Sequence, residues 1–378
     1  SMATISGIWD SYSSTQPHKR VVTDRILLTD PNELVALNAL GLNNESKFQF
    51  VNAPGRSYEW LQDVYMDRTD AVNSQALTSD SASTSVIVDT GANFRVGDVI
   101  LVDSELMWIS AISTNTLTVT RAFGGTQATH LDNAVVTILY RAVLEGIASV
   151  ADKLTEVTTG INYSQILTGQ VSVSRTNELL QRYGMPSAVD YQIDKKMDEL
   201  AQMLNRIAYR ADASKVGTAS APRQMGTLKA FITTNSTSAS SAALTQKMIE
   251  DEIQDCWSGN GRPDLILCGA WAKRKIADFY AGSVRTERSE TMGGITIERV
   301  MSPLGIELSI AVDRDCQTDH LYLLDRSLCG FITIDPFFEE ALGKVGDSAY
   351  LGQIVGEYGF VLQNEAAHSY VYSFSTTA

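Results

Sequence analysis

The stretch that most constrains this chain runs from Val189 to about Ala213, VDYQIDKKMDELAQMLNRIAYRADA. Ile193, Met197, Leu200, Leu204, Ile207 and Ala211 recur at steps of three and four, the period of one helical face. Lys195, Lys196, Asp198, Glu199, Gln202 and Arg206 fill the opposite side, where Lys195 and Glu199 can pair one turn apart. Gly184, Pro186 and Ser187 interrupt the chain before it, Asp190 is the expected N-cap, and Gly217 is expected to close it off. A helix of that length spans about 37 Å, the width of a domain. The chain before it is extended, polar or β-rich, and the chain after it alternates short helices with short strands. One long spine between two unlike halves points to architecture rather than to catalysis.

A chain of 378 residues leaves room for two or three domains. No apolar run approaches membrane-spanning length, and the opening residues lack a basic region followed by an apolar one, so no membrane partner is expected. Ser1-Met2 reads as a tag scar ahead of the native initiator. The net charge of −14 argues against a broad basic face for nucleic acid. It suits solubility, or an acidic wall to which packed nucleic acid does not stick. Cys256, Cys268, Cys316 and Cys329 are scattered without metal-site spacing and read as reduced core residues.

Residues 3–29 are rich in Ser and Thr and read as an extended arm. Asp30-Pro31-Asn32-Glu33 writes a helix start, Leu34, Leu37 and Leu40 give it a stripe, and Gly41 stops it. In Arg56–Asp63, Tyr58 and Trp60 alternate as in a half-buried strand. From Thr84 to Tyr140 the runs SVIVD, DVILV, LMWISAI, TLTVT and VVTIL, separated by turn residues, predict a small inserted barrel or sandwich. Arg141 to Leu180 mixes helix with extended chain. Beyond the spine, Thr233–Ala243 is expected to be an exposed loop. Thr245 caps a helix striped by Met248, Ile249, Ile253, Cys256 and Trp257, and Ala270–Tyr280 is another. Asp264–Cys268, Ile295–Val300, Ile306–Val312, His320–Leu324 and Phe331–Ile334 supply strands of an α/β domain. Strand-like runs between Gly343 and Tyr372 could return beside the spine.

Candidate chemistry is thin. Gly343-Lys344 lacks the rest of a phosphate loop. Phe123-Gly-Gly-Thr126 could cradle an anion but sits where a hairpin turn is expected. The carboxylates of Asp313–Asp319 lack the glycine and terminal Glu of a calcium loop, so a solvated turn is expected. His18, His130, His320 and His368 are isolated in sequence, and Trp257 and Trp271 read as core or contact residues. No catalytic residue, cofactor-binding residue or metal ligand is nominated, and an enzyme is not expected.

Taken in order, several segments resemble the major head proteins of tailed bacteriophages built on the Hong Kong 97 fold. They are Tyr58–Asp63, Phe94–Asp98 leading into Thr116–Arg121, Asn162–Ile166, Val171–Ser174 and the spine. Asp264–Cys268, Asp313–Asp315 before Leu321–Asp325, and Gly346–Ser348 before Gly356–Tyr358 complete the set. The resemblance covers about residues 25–372. It implies an α+β, HK97-like fold: an N-terminal arm, an extended loop, a peripheral domain carrying the spine, and an axial α/β domain. Mapped onto this chain, these are arm and short helix 1–50, peripheral domain 51–83 with 141–221, and β insertion 84–140. The axial domain takes 222–335, and the C-terminal strands 336–378 return to the peripheral domain. The implied function is a major capsid protein of the virion, assembled in the host cytoplasm as hexamers and pentamers of an icosahedral shell. It would enclose DNA without sequence-specific binding, and a separate scaffolding protein, a portal and decoration proteins are the implied partners. No lysine lies between Lys47 and Lys153, which leaves no lysine there for crosslinking in the extended loop. The alternatives are an encapsulin-like cellular shell, a β-rich tail or adhesion protein, and a soluble enzyme, which would need a concave pocket of convergent polar groups.

Overall fold

The structure is a computed structural model. It describes residues 33–42, 47–48, 55–74, 76–79, 83–146, 154–180, 187–280, 291–292, 295–296, 298–342 and 350–377. The arm at 3–29, the helix start at Asp30–Asn32, Gly184, Pro186, Gly343-Lys344 and Gly346–Ser348 lie outside the described residues. The chain divides into a larger unit, Ser1–Trp60 with Gly160–Ala378, and a smaller one, Leu61–Thr159.

In the larger unit the spine is the helix Ala188–Arg210. Its N-cap is Ser187, not Asp190. The Ser187 Oγ accepts the Asp190 N–H at 3.2 Å, and the Glu178 carboxylate accepts those of Ala188 and Val189. Asp190 instead sits in the first turn, where its charge complements the helix dipole. The helix ends at Arg210, short of Gly217. Thr227, remote in sequence, donates its hydroxyl to Ile207 O at 2.8 Å and its N–H to Ala211 O, taking up carbonyls of the last turn. Ile193, Leu200, Leu204 and Ala208 form the buried face, while Met197 and Ile207 are only partly buried. Asn205 and Tyr209 are buried on it too. On the outer side Lys196, rather than Lys195, pairs with Glu199.

Two layers pack around the spine. Strand Gln165–Val173 turns Leu167, Val171 and Val173 into the spine's core. It is an edge of a three-stranded antiparallel sheet with Tyr350–Leu362 in the middle and Cys329–Ala341 beyond. The short helix Val35–Leu40 also joins this core. Beyond it lies a six-stranded mixed sheet in the order Ser236–Ser238, Ser369–Tyr372, His320–Leu324, Leu265–Cys268, Glu307–Val312 and Glu298–Met301. Strand alternation divides its side chains between two cores. Leu265, Leu267, Tyr322, Leu324 and Tyr370 join the spine's cluster. Ile266, Cys268, Leu321, Leu323 and Val371 meet Ile249 and Ile253 of helix Gln246–Ser258 and Ala272 and Ile276 of helix Ala270–Phe279.

Three expectations are corrected here. Thr233–Ala243 contains a strand, Ser236–Ser238, which pairs in parallel with Ser369–Tyr372. Trp257 is 62% exposed, and Glu252 is the side chain buried beside Ile249, Ile253 and Cys256 instead. The C-terminal strands do not all return to the spine, because Tyr350–Leu362 does so while Ser369–Tyr372 enters the six-stranded sheet. The 335/336 boundary therefore cuts through strand Cys329–Ala341.

The smaller unit is a closed barrel. Its six strands run Thr69–Ala71, Val135–Arg141, Asp98–Val102, Glu105–Ser113, Thr116–Thr120 and Ser85–Ile87. The Val72–Val88 bridge joins the first to the last, flanked by Asn73 N–H to Ile87 O and Asp89 N–H to Ala71 O. Val72, Leu77, Val86, Ile100, Met107, Ile109, Leu117 and Val119 are in its core. All five predicted β runs are present. The strand that completes the ring, Thr69–Ala71, precedes the expected start at 84, because TDA carries no β signal and is placed by pairing alone. Gly91 lets the segment after Ser85–Ile87 pack against the Thr114–Asn115 turn, since a Cβ there would lie 2.0 Å from Thr114 O. Strands Ser57–Gln62 and Thr158–Tyr163, which pair with each other, carry the chain out of one unit and back.

Because Leu204 is 1% exposed at the centre of the spine's buried face, Leu204→Asp should cost about 3–5 kcal/mol and yield insoluble protein. Met203→Gln, one residue away on the exposed side, should melt within a degree or two of the parent by calorimetry.

Candidate functional site

In place of a catalytic pocket, the described residues show buried polar joints that tie distant segments together. The largest centres on Asp313, 1% exposed, at the end of strand Glu307–Val312. Its Oδ2 accepts the Asn205 amide at 3.0 Å, the Tyr209 hydroxyl at 2.9 Å and the Ala36 N–H at 3.1 Å. Its Oδ1 accepts the Asp315 N–H at 2.9 Å. The Asn205 carbonyl accepts the Ala36 and Leu37 N–H groups, so two spine and strand side chains cap a helix that lacks its own cap. Arg206 reaches Asp315 at 2.9 Å, and Arg314 reaches Glu33. The Asp313–Asp319 run is therefore not a solvated turn, since its first carboxylate is buried and satisfied by four donors.

A second joint centres on Asn162, fully buried near the end of strand Thr158–Tyr163. Its amide donates to Gly226 O and Phe360 O, and its carbonyl accepts Gly226 N–H and the Ser214 hydroxyl. Two residues on, Ser164 donates to Glu357, which also pairs with Arg223 at 2.8 Å. Segments on both sides of the spine in sequence are thus fastened to the central strand Tyr350–Leu362.

The third lies inside the barrel. Arg121 meets Glu105 with two parallel bonds of 2.9 and 2.7 Å, both side chains being almost wholly buried. The Ala122 and Ala128 N–H groups and His130 Nε2 complete the shell around Glu105, and His130 Nδ1 meets Asp103. Burial works to raise the Glu105 pKa, but these bonds, led by Arg121, outweigh it and hold it down to about 2. Arg121 also donates to Thr78 O and Ala128 O, so the network holds the long connection from 121 to 134 against the strands. Phe123-Gly-Gly-Thr126 lies within that connection.

The cysteines, His320 and Trp271 fall into packing roles. The four cysteines are free and buried, and burial pushes Cys256, Cys268 and Cys329 up to about 12, out of the reactive range. His320 stacks among Tyr322, Tyr370 and Tyr372, and Trp271 stacks on Phe374. His18 lies outside the described residues. Among the described residues no group of three His, Cys, Asp or Glu could hold a metal, and no helix is long and apolar enough to cross a membrane.

Buried titratable groups nonetheless link stability to pH. His368 accepts the Asp325 N–H at Nδ1, and burial lowers its pKa to about 4. The unfolded chain takes up this proton near pH 6.5 and the folded one only near 4, so stability is lost as pH falls through that window. Burial raises Glu252 in the opposite sense, so it favours the folded state less as pH rises past its ordinary range. Urea denaturation at pH 7 and pH 4.5 should show a loss of up to about 3 kcal/mol assignable to His368. His368→Asn, which keeps an acceptor for Asp325, should flatten that dependence.

The SU10 major capsid protein model matches residues 7–373. The chain belongs to the SU10 major capsid protein family. Solved capsids share its fold at low identity. The capsid of cyanophage A-1(L) aligns over 97% of this chain and 98% of its own, with 11% identity and a TM-score of 0.51. That of Myoviridae phage XM1 aligns over 93% and 96%, with 10% identity and a TM-score of 0.50. The SrpI encapsulin of Synechococcus elongatus PCC 7942 matches 59% of this chain and 79% of its own, with 12% identity and a TM-score of 0.42. No curated protein matches. The fold is thus the HK97-like capsid fold, and the SU10-family chain is a structural shell subunit rather than an enzyme.

Asp313→Ala should strip the acceptor from Ala36, Asn205, Tyr209 and Asp315 together and cost about 3–5 kcal/mol. Chemical denaturation would measure it, and Arg314→Ala, at an exposed pair, should cost under about 1 kcal/mol.

Proposed function

We propose that this capsid protein forms hexamers and pentamers that close into an icosahedral head around a DNA genome. The observation that carries the reading is the family match over nearly the whole chain, joined to a fold that aligns end to end with phage capsids. A closed shell satisfies many moderate contacts at once, each burying about 1,600 Å² in the usual case. Rings of five and six reuse nearly the same surfaces, so the unit built around the spine must stay rigid while peripheral segments adjust.

The spine and its three-stranded sheet then serve as the peripheral domain and the six-stranded sheet with its two helices as the axial domain. The barrel is the insertion, and residues 1–50 supply the N-terminal arm and short helix. Scaffolding, portal and decoration proteins would be separate chains, assembly would take place in the host cytoplasm, and the protein would end in the virion. The acidic balance of the chain suits a container that does not grip its nucleic acid. Purified protein examined by light scattering and negative-stain microscopy across salt and concentration should give hexamers, pentamers or closed shells. A monomer persisting under every condition would overturn the reading.

A further inference from the structure

The barrel carries a second apolar layer on its outside. The register sets Tyr140 and Trp108 directly across from Val99 on either side, and Thr137 and Leu106 across from Leu101. Cross-strand partners share a face, and the neighbouring pairs Ile100–Met107 and Ile100–Ile138 turn into the core, so this row turns outward. Val99, in this row, is fully buried and is not part of the barrel core. Phe123 stacks on Trp108 at 6.3 Å, its N–H donates to Leu106 O, and the Trp108 Nε1–H donates to Ala142 O. The result is one continuous face with Tyr140 51%, Phe123 46%, Leu139 46% and Val135 60% exposed. Hairpin turns and a barrel core already stabilise this unit, so an outer row of this kind adds nothing to folding that polar residues would not.

We propose that this outer face of the barrel seats on a different surface of a second copy of the chain, making it a ring-forming or shell-forming contact. This rests on the shell reading above, which supplies neighbouring copies as the partners present in every assembly. Charge decides the geometry. The turns at the ends of these strands expose Asp103, Asp132 and Glu145, while Arg121 is buried against Glu105 and Arg141, at the end of its strand, is held by Asp98. Two such faces meeting about a two-fold axis would bring like charges together around an apolar centre, which costs more than it gains. A head-to-tail contact onto another surface avoids this, and contacts of that type are the ones that close rings. Aromatic side chains at the centre with a polar rim is also the anatomy of a high-affinity protein contact.

The test compares the full chain with Tyr140→Ser, Phe123→Ser and the pair together, with Thr118→Asp on another strand of the barrel as control. Thermal unfolding establishes that each is folded, and the single variants decide the matter if the pair is not. Light scattering and electron microscopy then read the lowest concentration at which rings or shells form. The aromatic variants should raise it at least about tenfold while Thr118→Asp leaves it unchanged. Folded aromatic variants that assemble like the parent would overturn this contact and leave the shell reading standing. A parent chain that never assembles would overturn both.

Discussion

The hydrogen-bonded carboxylate of Asp313 is the constraint on which the larger unit depends. It stands where three segments far apart in sequence meet: the short helix Val35–Leu40, the spine, and the strand Glu307–Val312. Apolar burial brings these segments together but says little about their register, because an apolar face can slide against another at small cost. A buried acceptor facing four donors in fixed directions cannot slide without leaving several of them unpaired, each at about 1–3 kcal/mol. Asn162 does the same at a second point, binding the chain before the spine to the chain after it and to the central strand of the three-stranded sheet. Between the two joints the spine is fixed in its C-terminal third and just beyond its C-terminal end, which suits a subunit that must keep its shape within a shell.

Much of this fold can be read from the sequence because it is written in periodicity. The spine, the helix begun by Thr245, the buried strand Leu265–Cys268 and five of the barrel's strands all carry the pattern their burial requires. What escapes is placed by partners. Thr69–Ala71 and Ser236–Ser238 are strands because a neighbour's edge accepts them, and their own residues say nothing of it. The spine's last turn is ended by Thr227 rather than by a local stop signal, and its first by Ser187 with help from Glu178.

The polar joints were half legible for a similar reason. Asp313-Arg-Asp315 and Asn162–Ile166 stand out as segments, and their place in the capsid pattern is visible in sequence, but their role is not. A run of three carboxylates reads as solvated because a single chain cannot reveal that a distant Asn, Tyr and helix N-terminus will converge on the first of them. The same holds for Glu105, Arg121 and His130, which are spread over three turns of the barrel and meet only when it closes. Asn205 and Tyr209 lie on the spine's apolar face, where polarity in sequence predicts the opposite side.

A shell subunit also has to control where its backbone can pair, since copies meet at high local concentration and an open strand edge is an invitation. In the barrel the Val72–Val88 bridge joins the first strand to the last, which leaves less of either edge open. The six-stranded sheet ends in strands of three and four residues. Along Cys329–Ala341 the edge is interrupted by Pro336 and two register shifts and carries Glu339 and Glu340 at its outer end. Strand Gln165–Val173, of nine residues, is regular, and there the spine supplies the control: Lys196 and Glu199 line the cleft beside Gln170 and Ser172 and place a pair of charges next to it. Backbone pairing between copies is restrained by each of these devices in a different way. What they leave available for association is side-chain surface, which can be tuned residue by residue.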